Sequence, residues 1–338
     1  MRPRILIHPT KRLFQMFKDT VMTEEKRKSI KGLIYAVVSS ATFGLVPLFA
    51  IPALKAGVSV NSVVFYRFAI SALLIGLVLL ARRESFRIAK RQLPVIAGFA
   101  LLYAATSFLL TQSYLYIPSG LATTLHFLYP VLVTILMVVL FKERLSVPVA
   151  VATLLALGGI YLLSGSNGSE VNPTGMALAL TTVLTYASYI VGLNRSSIGR
   201  IDSLKLTFYI LSTGSLFFLV NLLVRGEGLA PIPSWKSGID LFMLALVPTL
   251  ISNLTLILAV KHIGSTTTAV LGCMEPLTAV VMGILFLGES CSRVQAWGIG
   301  IILVAVTTVI VARNPEELKK VWQRAPRWFR KGSSRMRR

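Results

Sequence analysis

Two stretches of this chain, LYPVLVTILMVVLFKERL at 128–145 and MEPLTAVVMGILFLGESC at 274–291, follow one pattern. Each places a proline near the start of an apolar run and a glutamate thirteen residues further on. The offset between the copies is 146 residues throughout: Ile117, Ser119, Leu125, Pro130 and Glu143 recur as Ile263, Ser265, Leu271, Pro276 and Glu289. Because a constant offset over a whole segment rarely arises by chance, the sequence predicts two copies of one unit.

The composition is that of a membrane protein. Hydrophobic residues make up 54% of the chain and charged residues 14%, against roughly 25% charged residues in soluble domains. In lipid every backbone N–H and C=O needs a partner within the protein, so long apolar segments are predicted to be helices. Ten segments qualify: 32–53, 60–81, 93–115, 119–141, 146–164, 174–193, 203–224, 239–260, 264–287 and 293–312. The predicted fold class is an all-α polytopic membrane protein with ten transmembrane helices.

The repeat extends into the earlier segments at an offset of 143 residues. There, Gly32 matches Gly175, Thr42-Phe43-Gly44 matches Thr185-Tyr186-Ala187, and Phe65-Tyr66 matches Phe208-Tyr209. The predicted domains are a first repeat at 32–164, a linker at 165–173 and a second repeat at 174–312, between basic tails at 1–31 and 313–338. Because five spans are an odd number, the second repeat enters the membrane from the opposite side. This is the inverted-repeat arrangement of secondary transporters.

The positive charges predict the orientation. With the N-terminus in the cytoplasm, 30 of the 35 Lys and Arg residues lie on the cytoplasmic side. The remaining five are Lys55, Arg67, Arg225, Lys236 and Arg293, of which Arg67 is inside a span. Since positive residues stay on the cytoplasmic side, both termini are predicted to be cytoplasmic. The net charge of +22 is then explained by an anionic membrane surface, and nucleic-acid binding is not expected.

The two tails leave alternatives open. Residues 1–31 lack the apolar core of a signal peptide, and Met22 is a second candidate start of translation. Residues 1–21 are either an over-long start or a weak surface-lying helix. The tail at 313–338 combines three aromatic residues with ten Lys or Arg. It is either an interfacial helix or a disordered basic tail.

The segments from Leu128-Tyr-Pro130 to Leu145 and from Met274-Glu-Pro276 to Glu289 are similar to the end of an EamA domain. With Ala41-Thr-Phe-Gly44 and Tyr66-Arg-Phe68, the chain resembles the ten-helix, two-domain EamA transporters of the drug/metabolite transporter superfamily over about 32–312. The resemblance implies a bacterial inner-membrane carrier, often an exporter of amino acids or other small metabolites. The second copy departs from the pattern, because Ile210 stands where the first copy has Arg67.

Glu275 is the foremost candidate site residue. An ionisable group inside a membrane costs roughly 2.5–3.5 kcal/mol on insertion scales, so it is treated as a functional hypothesis. The carboxyl group could carry a proton or bind a substrate amine, and the alternative is a structural glutamate. Its counterpart in the first copy is Tyr129. The two side chains are expected to meet in a central cavity.

Pro130 and Pro276 are expected to break their helices, because proline cannot donate to the helical ladder. Each would free a carbonyl one turn earlier, around His126 and Gly272. Breaks at matching places in two halves indicate a binding site, and a bend needed only for packing is the alternative. The His126 imidazole could exchange protons near neutral pH, or it could be a packing residue.

Other polar residues in spans are weaker candidates. Arg67 could snorkel to the interface, act as a gating charge, pair with Glu275 or bind a substrate carboxylate. For Asn253 and Gln112, substrate binding and interhelical hydrogen bonding are equally open. The hydroxyl-bearing residues of the first and sixth spans could line the cavity or bond their own backbone: Thr42, Thr185, Tyr186 and Tyr189.

Several features are predicted to be structural. Glu143 and Glu289 close their helices at opposite membrane faces. The glycines of the fifth and tenth spans allow close helix contact, in packing or in a homodimer: Gly158, Gly159, Gly298 and Gly300. Two cysteines, Cys273 and Cys291, have neither the spacing nor the neighbours of a metal site. No metal and no cofactor are expected.

The sequence therefore predicts a secondary-active transporter of a small metabolite, with export favoured and with protons as a candidate coupling ion. An enzyme is disfavoured, because the thirteen acidic residues form no cluster and no phosphate-binding loop is present. A channel would need a repeated ring of carbonyls or charges. A channel, a scramblase or a non-transporting scaffold remains the alternative class.

Overall fold

The computed structural model describes residues 9–117, 119–144, 147–164, 172–226, 228–286 and 293–313. In these ranges the chain forms helices and short connections, without a strand. The helices are α1 (Pro9–Phe43), α2 (Val46–Lys55), α3 (Val60–Ala81), α4 (Leu93–Ser113), α5 (Ser119–His126), α6 (Tyr129–Phe141), α7 (Val147–Ser164), α8 (Pro173–Arg195), α9 (Ser203–Val224), α10 (Trp235–Ala245), α11 (Ser252–Ile263), α12 (Ser265–Leu271), α13 (Met274–Phe286) and α14 (Arg293–Arg313).

Six helical stretches of the described chain are long and apolar enough to cross a membrane: Arg27–Lys55, Val60–Ala81, Lys90–Ser113, Pro173–Arg195, Ser203–Val224 and Trp235–Ile263. Two shorter apolar helices, Tyr129–Phe141 and Val147–Gly159, accompany them. The predicted class of all-helical membrane protein agrees with these helices. The total of ten crossings and the orientation of the termini stay predictions.

The first segment differs from its prediction at its start and in its middle. Helix α1 begins at Pro9, inside the predicted basic tail, and continues without a break into the apolar segment. A two-residue turn at Gly44 and Leu45 then separates it from α2. The second helix carries a proline in its first turn, where the missing N–H is tolerated. One predicted span is thus two helices end to end.

The eighth segment is longer than predicted, because the Ser234 side chain accepts a hydrogen bond from the backbone N–H of Ser237 and starts α10 at Trp235. Between α10 and α11 the chain forms a π-helical turn over Leu246–Ile251. Pro248 has no N–H to offer the carbonyl of Leu244, and the Thr249 hydroxyl donates to that carbonyl at 2.7 Å instead. The π-helical turn therefore accommodates a proline inside a helical segment.

The fourth and ninth segments break as predicted, next to their prolines. Turns at Phe127-Leu128 and at Gly272-Cys273 divide α5 from α6 and α12 from α13. The expected free carbonyl near Pro276 is nevertheless occupied, because the Gly272 carbonyl accepts from the N–H of Glu275 at 2.9 Å. The neighbouring carbonyl of Leu271 accepts from the Ser40 hydroxyl at 3.0 Å. A tightened turn and a neighbouring helix thus supply partners for the carbonyls at this break.

Helices from the two halves of the chain pack as pairs. Helix α1 lies against α11 and α4 against α8, while α3 pairs with α9 and α7 with α14. A Cβ atom on Gly32 would lie 2.5 Å from the side chain of Ile263, and one on Gly175 would lie 2.8 Å from that of Ile117. Both glycines are therefore needed for close approach. In the sequence repeat Gly32 matches Gly175 and Ile263 matches Ile117, so the same kind of contact occurs in both copies.

Candidate functional site

The two broken helices cross at their breaks. Helix α5 contacts α13, and α12 contacts α6, so each first half lies against the second half of the other helix. Tyr129 starts α6 and Glu275 lies in the first turn of α13. The Tyr129 hydroxyl donates to Oε1 of Glu275 at 3.3 Å, and both residues are 2% exposed. The two side chains are therefore in contact, as the sequence predicted.

Glu275 is held in place by its backbone as much as by its side chain. A Cβ atom on Gly44 would lie 2.4 Å from the carbonyl oxygen of Glu275, so the turn between α1 and α2 rests directly on α13. The second carboxyl oxygen, Oε2, is buried and has no hydrogen-bond partner among the described residues. One oxygen of the carboxyl group is thus available to a ligand or a proton.

His126 presents a second unpartnered atom next to Tyr129. Its Nδ1 is 2.7 Å from the hydroxyl of Thr182, which donates its proton to the carbonyl of Ala179 at 2.5 Å. The hydroxyl then accepts from Nδ1–H, and in the neutral imidazole Nε2 carries the lone pair. That Nε2 is buried and lacks a partner in the described chain.

Aromatic rings surround these polar groups. Tyr186 stacks on Phe43 with ring centroids 5.9 Å apart, and its ring meets that of Tyr129 edge-on at 4.8 Å. The His126 ring lies 5.2 Å from that of Tyr129 and 5.1 Å from that of Tyr186. The central site is thus a polar pair enclosed by aromatic faces.

Arg67 is buried beyond Phe43, with 1% of its surface exposed. Its Nε donates to the Thr249 hydroxyl at 2.5 Å and its Nη2 to the carbonyl of Pro248 at 3.4 Å. The guanidinium also lies 5.6 Å from the centre of the Phe43 ring. Two expectations are therefore wrong: the side chain does not snorkel to an interface, and it does not pair with Glu275. It binds the π-helical turn instead.

The remaining candidates divide into two groups. Asn253 accepts a hydrogen bond from the Tyr189 hydroxyl at 2.7 Å, and its amide nitrogen is buried without a partner in the described chain. The Thr42 hydroxyl bonds the carbonyl of Val38 in its own helix at 2.6 Å, which is the structural alternative. The Thr185 hydroxyl lies 2.7 Å from that of Thr106 and links α8 to α4.

Sequence reasoning missed Thr182 and Thr249, which hold His126 and Arg67. Thr249 follows a proline in the middle of a span, a signal that was present in the sequence. Thr182 carries no such signal, because a hydroxyl in an apolar helix most often bonds its own backbone. In the part of the chain that is described, no three His, Cys, Asp or Glu side chains come together as a metal site would require.

A second polar cluster lies where α6 and α8 end and α12 begins. Glu143 and Arg195 form an ion pair at 2.9 Å, and Thr266 donates to Glu143 at 3.5 Å. Asn194 donates to Ser265 at 3.1 Å. These contacts join three helices at one end of the bundle, hereafter the end cluster. The predicted counterpart Glu289 lies outside the described residues.

Comparison with known proteins agrees with this architecture. The EamA-like transporter family model matches the chain twice, over residues 30–165 and 173–311. The chain belongs to the EamA-like transporter family. The resemblance predicted from the Pro and Glu pattern is thereby confirmed, and with it membership of the drug/metabolite transporter superfamily. With six apolar helices in the described part, the protein is a membrane transporter by class.

Several curated relatives are transporters. The chain is 28% identical over 239 residues to the threonine/homoserine exporter RhtA of Escherichia coli (strain K12), a match that covers 70% of this chain and 77% of the exporter. An uncharacterized transporter of Archaeoglobus fulgidus is 29% identical over 187 residues, covering 55% and 65%. The uncharacterized inner membrane transporter YedA of Escherichia coli (strain K12) is 22% identical over 218 residues, covering 64% and 70%.

A solved structure, described only as the crystal structure of a protein, superposes with a TM-score of 0.72. The match covers 85% of this chain and 99% of the solved chain, at 16% sequence identity. At that identity the likeness concerns the fold alone.

Proposed function

We propose that this protein is a secondary-active transporter that exports a small metabolite, an amino acid or a related solute, by alternating access across a bacterial inner membrane. Ten helices cross the membrane as two inverted repeats, 32–164 and 174–312, with both termini in the cytoplasm. The protein is proposed to use no cofactor and to be no enzyme. Protons are the proposed coupling ion.

The helix pairing supports the inverted repeat. In the repeat, α1 corresponds to α8 and α4 corresponds to α11, so exchanging the halves converts the pair α1–α11 into the pair α8–α4. The pairs α3–α9 and α7–α14 each join two corresponding helices and are unchanged. The crossing of α5 with α13 likewise becomes that of α12 with α6. Two halves that exchange in this way can also exchange conformations, which would open a central site first to one side and then to the other.

The observation that carries the proposal is the set of unpartnered polar atoms at the crossing and beside it. Oε2 of Glu275 and Nε2 of His126 lie beside Tyr129, and the amide nitrogen of Asn253 lies beside Tyr189. A buried polar group without a partner costs about 1–3 kcal/mol. A polar solute bound here would supply partners for these three groups.

The chemistry of these atoms favours an amino acid. Glu275 and His126 offer acceptors for an ammonium group, and the Asn253 amide offers donors for a carboxylate. Tyr186, whose ring lies 6.3 Å from that of Tyr189, separates the two regions and would contact the solute. The relatives named as threonine/homoserine exporters agree with this class of substrate and with export. Arg67 and Thr42 are proposed to act by positioning, since their polar atoms are engaged with protein.

Two further proposals concern partners. Glu275 is proposed to carry the coupling proton, because its free oxygen is buried at the crossing of the breaks. A homodimer would have to use a surface other than Gly159, because that glycine already packs against the Gly298 carbonyl of α14.

Reconstitution in liposomes tests the proposal. We expect flux of labelled threonine or another amino acid above that of empty liposomes, with a rate that responds to a pH gradient. Glu275→Gln should remove the response to the gradient, and Glu84→Gln, a change in an exposed loop, should leave it intact. If both variants keep the response, the proton role is wrong. If no amino acid in a broad panel crosses faster than in empty liposomes, the transporter proposal itself is wrong.

A further inference from the structure

An apolar groove runs along the outside of the bundle between α3 and α9. It has a volume of about 300 Å³, at the lower end of the range for small-molecule sites. Its walls are almost entirely apolar: Ala72, Leu73, Gly76, Leu77, Leu80, Phe86, Phe208 and Ser212. The three leucines are 53–62% exposed, so the groove opens to the surroundings of the bundle.

The groove has the length of one membrane leaflet. Both helices that form it are candidate membrane spans. Its residues on α3 run from Ala72 to Leu80, a rise of about 12 Å at 1.5 Å per residue. Half of a hydrocarbon core of about 30 Å is close to that length. With the end of α3 at the membrane surface, the groove would reach to near the middle of the bilayer.

Phe86 closes the groove at the end of α3. Its ring meets that of Phe208 edge-on at 5.2 Å. The Tyr209 hydroxyl donates to the Phe86 carbonyl at 2.6 Å. The loop that follows α3 is thereby fixed to α9 at the mouth of the groove.

That loop carries a concentration of positive charge. Over residues 82–91 there are five Lys or Arg against one acid, Glu84. All six side chains are exposed, and none forms an ion pair with a described residue. The five cations are Arg82, Arg83, Arg87, Lys90 and Arg91. The apolar groove, about one leaflet long, thus ends next to a positively charged loop.

From this juxtaposition we propose that the groove between α3 and α9 binds one acyl chain of an anionic phospholipid, whose phosphate contacts the arginines of the 82–91 loop. Juxtamembrane basic residues attract anionic lipids, and the groove adds a fixed place for the tail. A second copy of this chain is a poorer occupant. A twofold dimer through this face would bring two such loops of like charge together. The proposal is independent of the transported solute.

Native mass spectrometry of the full chain in a mild detergent tests the proposal. The probes are phosphatidylglycerol and phosphatidylcholine with identical acyl chains. We expect one phosphatidylglycerol to be retained in preference to phosphatidylcholine. The exposed triple change Arg82→Gln, Arg83→Gln and Arg87→Gln should lower that retention by about ten-fold or more. The control change of Lys142→Gln with Arg144→Gln, which removes two charges from another exposed connection, should leave it unchanged.

Variants that fill the groove distinguish a bound acyl chain from a general attraction of anionic headgroups to the loop. Ser212→Leu, or Leu77→Trp if the first variant does not fold, should lower phosphatidylglycerol retention while the loop keeps its charge. Equal retention of the two lipids would overturn the proposal. It would also be overturned if the arginine changes lower retention and neither filled-groove variant does, because the loop would then attract headgroups without a bound chain.

Discussion

At the scale of single residues, the buried polar groups of this bundle fall into two kinds. The Arg67 guanidinium is bound by Thr249 and by a backbone carbonyl of the π-helical turn, so it joins α3 to the eighth segment. Glu275 and His126 each keep one atom without a partner in the described chain. The first kind positions helices, and the second kind is available to the proposed solute.

We predict that Thr249→Val destabilises the protein by about 1.5–3 kcal/mol, the range for a hydrogen bond to a charged group. The change removes the acceptor of the Arg67 Nε and frees the Leu244 carbonyl. The measurement is thermal unfolding in detergent. Thr255→Val is the control, because that hydroxyl bonds only carbonyls of its own helical segment. Equal melting temperatures for the two variants would show that Arg67 is not held as described.

We predict that Gly44→Ala lowers both stability and transport. Its Cβ atom would lie 2.4 Å from the Glu275 carbonyl, so the turn after α1 would have to move away from α13. Gly158→Ala is the control, since a Cβ there meets nothing within 4 Å and alanine is favoured over glycine in a helix. The readouts are the melting temperature and flux in liposomes. A Gly44→Ala protein as stable and active as Gly158→Ala would contradict this contact.

At this scale the sequence predicted the position of the central pair and not its surroundings. The offset of 146 residues placed Tyr129 opposite Glu275, and the two side chains are bonded. The partner of Arg67 could not be predicted, because Thr249 lies 182 residues away in the chain. A long side chain can reach several helices, and only packing decides which one it meets.

At the scale of elements, the breaks in helices are the main feature. Proline gives a local signal, so the breaks beside Pro130 and Pro276 were predictable. Pro248 gives the same local signal, but the π-helical form of its turn and the division of the first segment at Gly44 were not predictable. Each depends on a neighbour: the Thr249 hydroxyl fills the place of a missing N–H, and the α1–α2 turn lies against α13.

The end cluster gives a prediction at this scale. Arg195→Gln removes the ion pair that joins α8 to the end of α6. Both side chains are more than a third exposed, and such a pair contributes about 0–1 kcal/mol. We therefore expect the bundle to open more often at this end, by no more than about five-fold.

Alkylation of the buried Cys273 measures that opening, in a Cys291→Ser background and with reagent added from the cytoplasmic side. Arg200→Gln is the control, an exposed arginine in the same connection. A rate for Arg195→Gln no faster than for Arg200→Gln would show that the end cluster does not hold the helices together.

At the scale of the whole molecule, the charge distribution predicts which loops face the cytoplasm. If the termini are cytoplasmic, the loop at 82–92 is cytoplasmic and the connection between α9 and α10 lies outside. We predict that Gly228→Cys reacts with an impermeant maleimide in intact cells and that Ala89→Cys does not, each in a cysteine-free background. Both positions are exposed in the structure. The opposite labelling pattern would invert the assigned orientation.

The sequence by itself determined the class of this protein, its duplication and the places where its central helices break. Hydrophobicity, proline and a repeated offset are properties of the chain that need no partner. Only the tertiary structure decided which polar atoms are satisfied. It occupied the carbonyl of Gly272 and bound Arg67 to a π-helical turn. It left Glu275, His126 and Asn253 each with one atom that has no partner among the described residues. The physical reason is that a hydrogen bond needs two groups at one place, and helices distant in sequence bring those groups together.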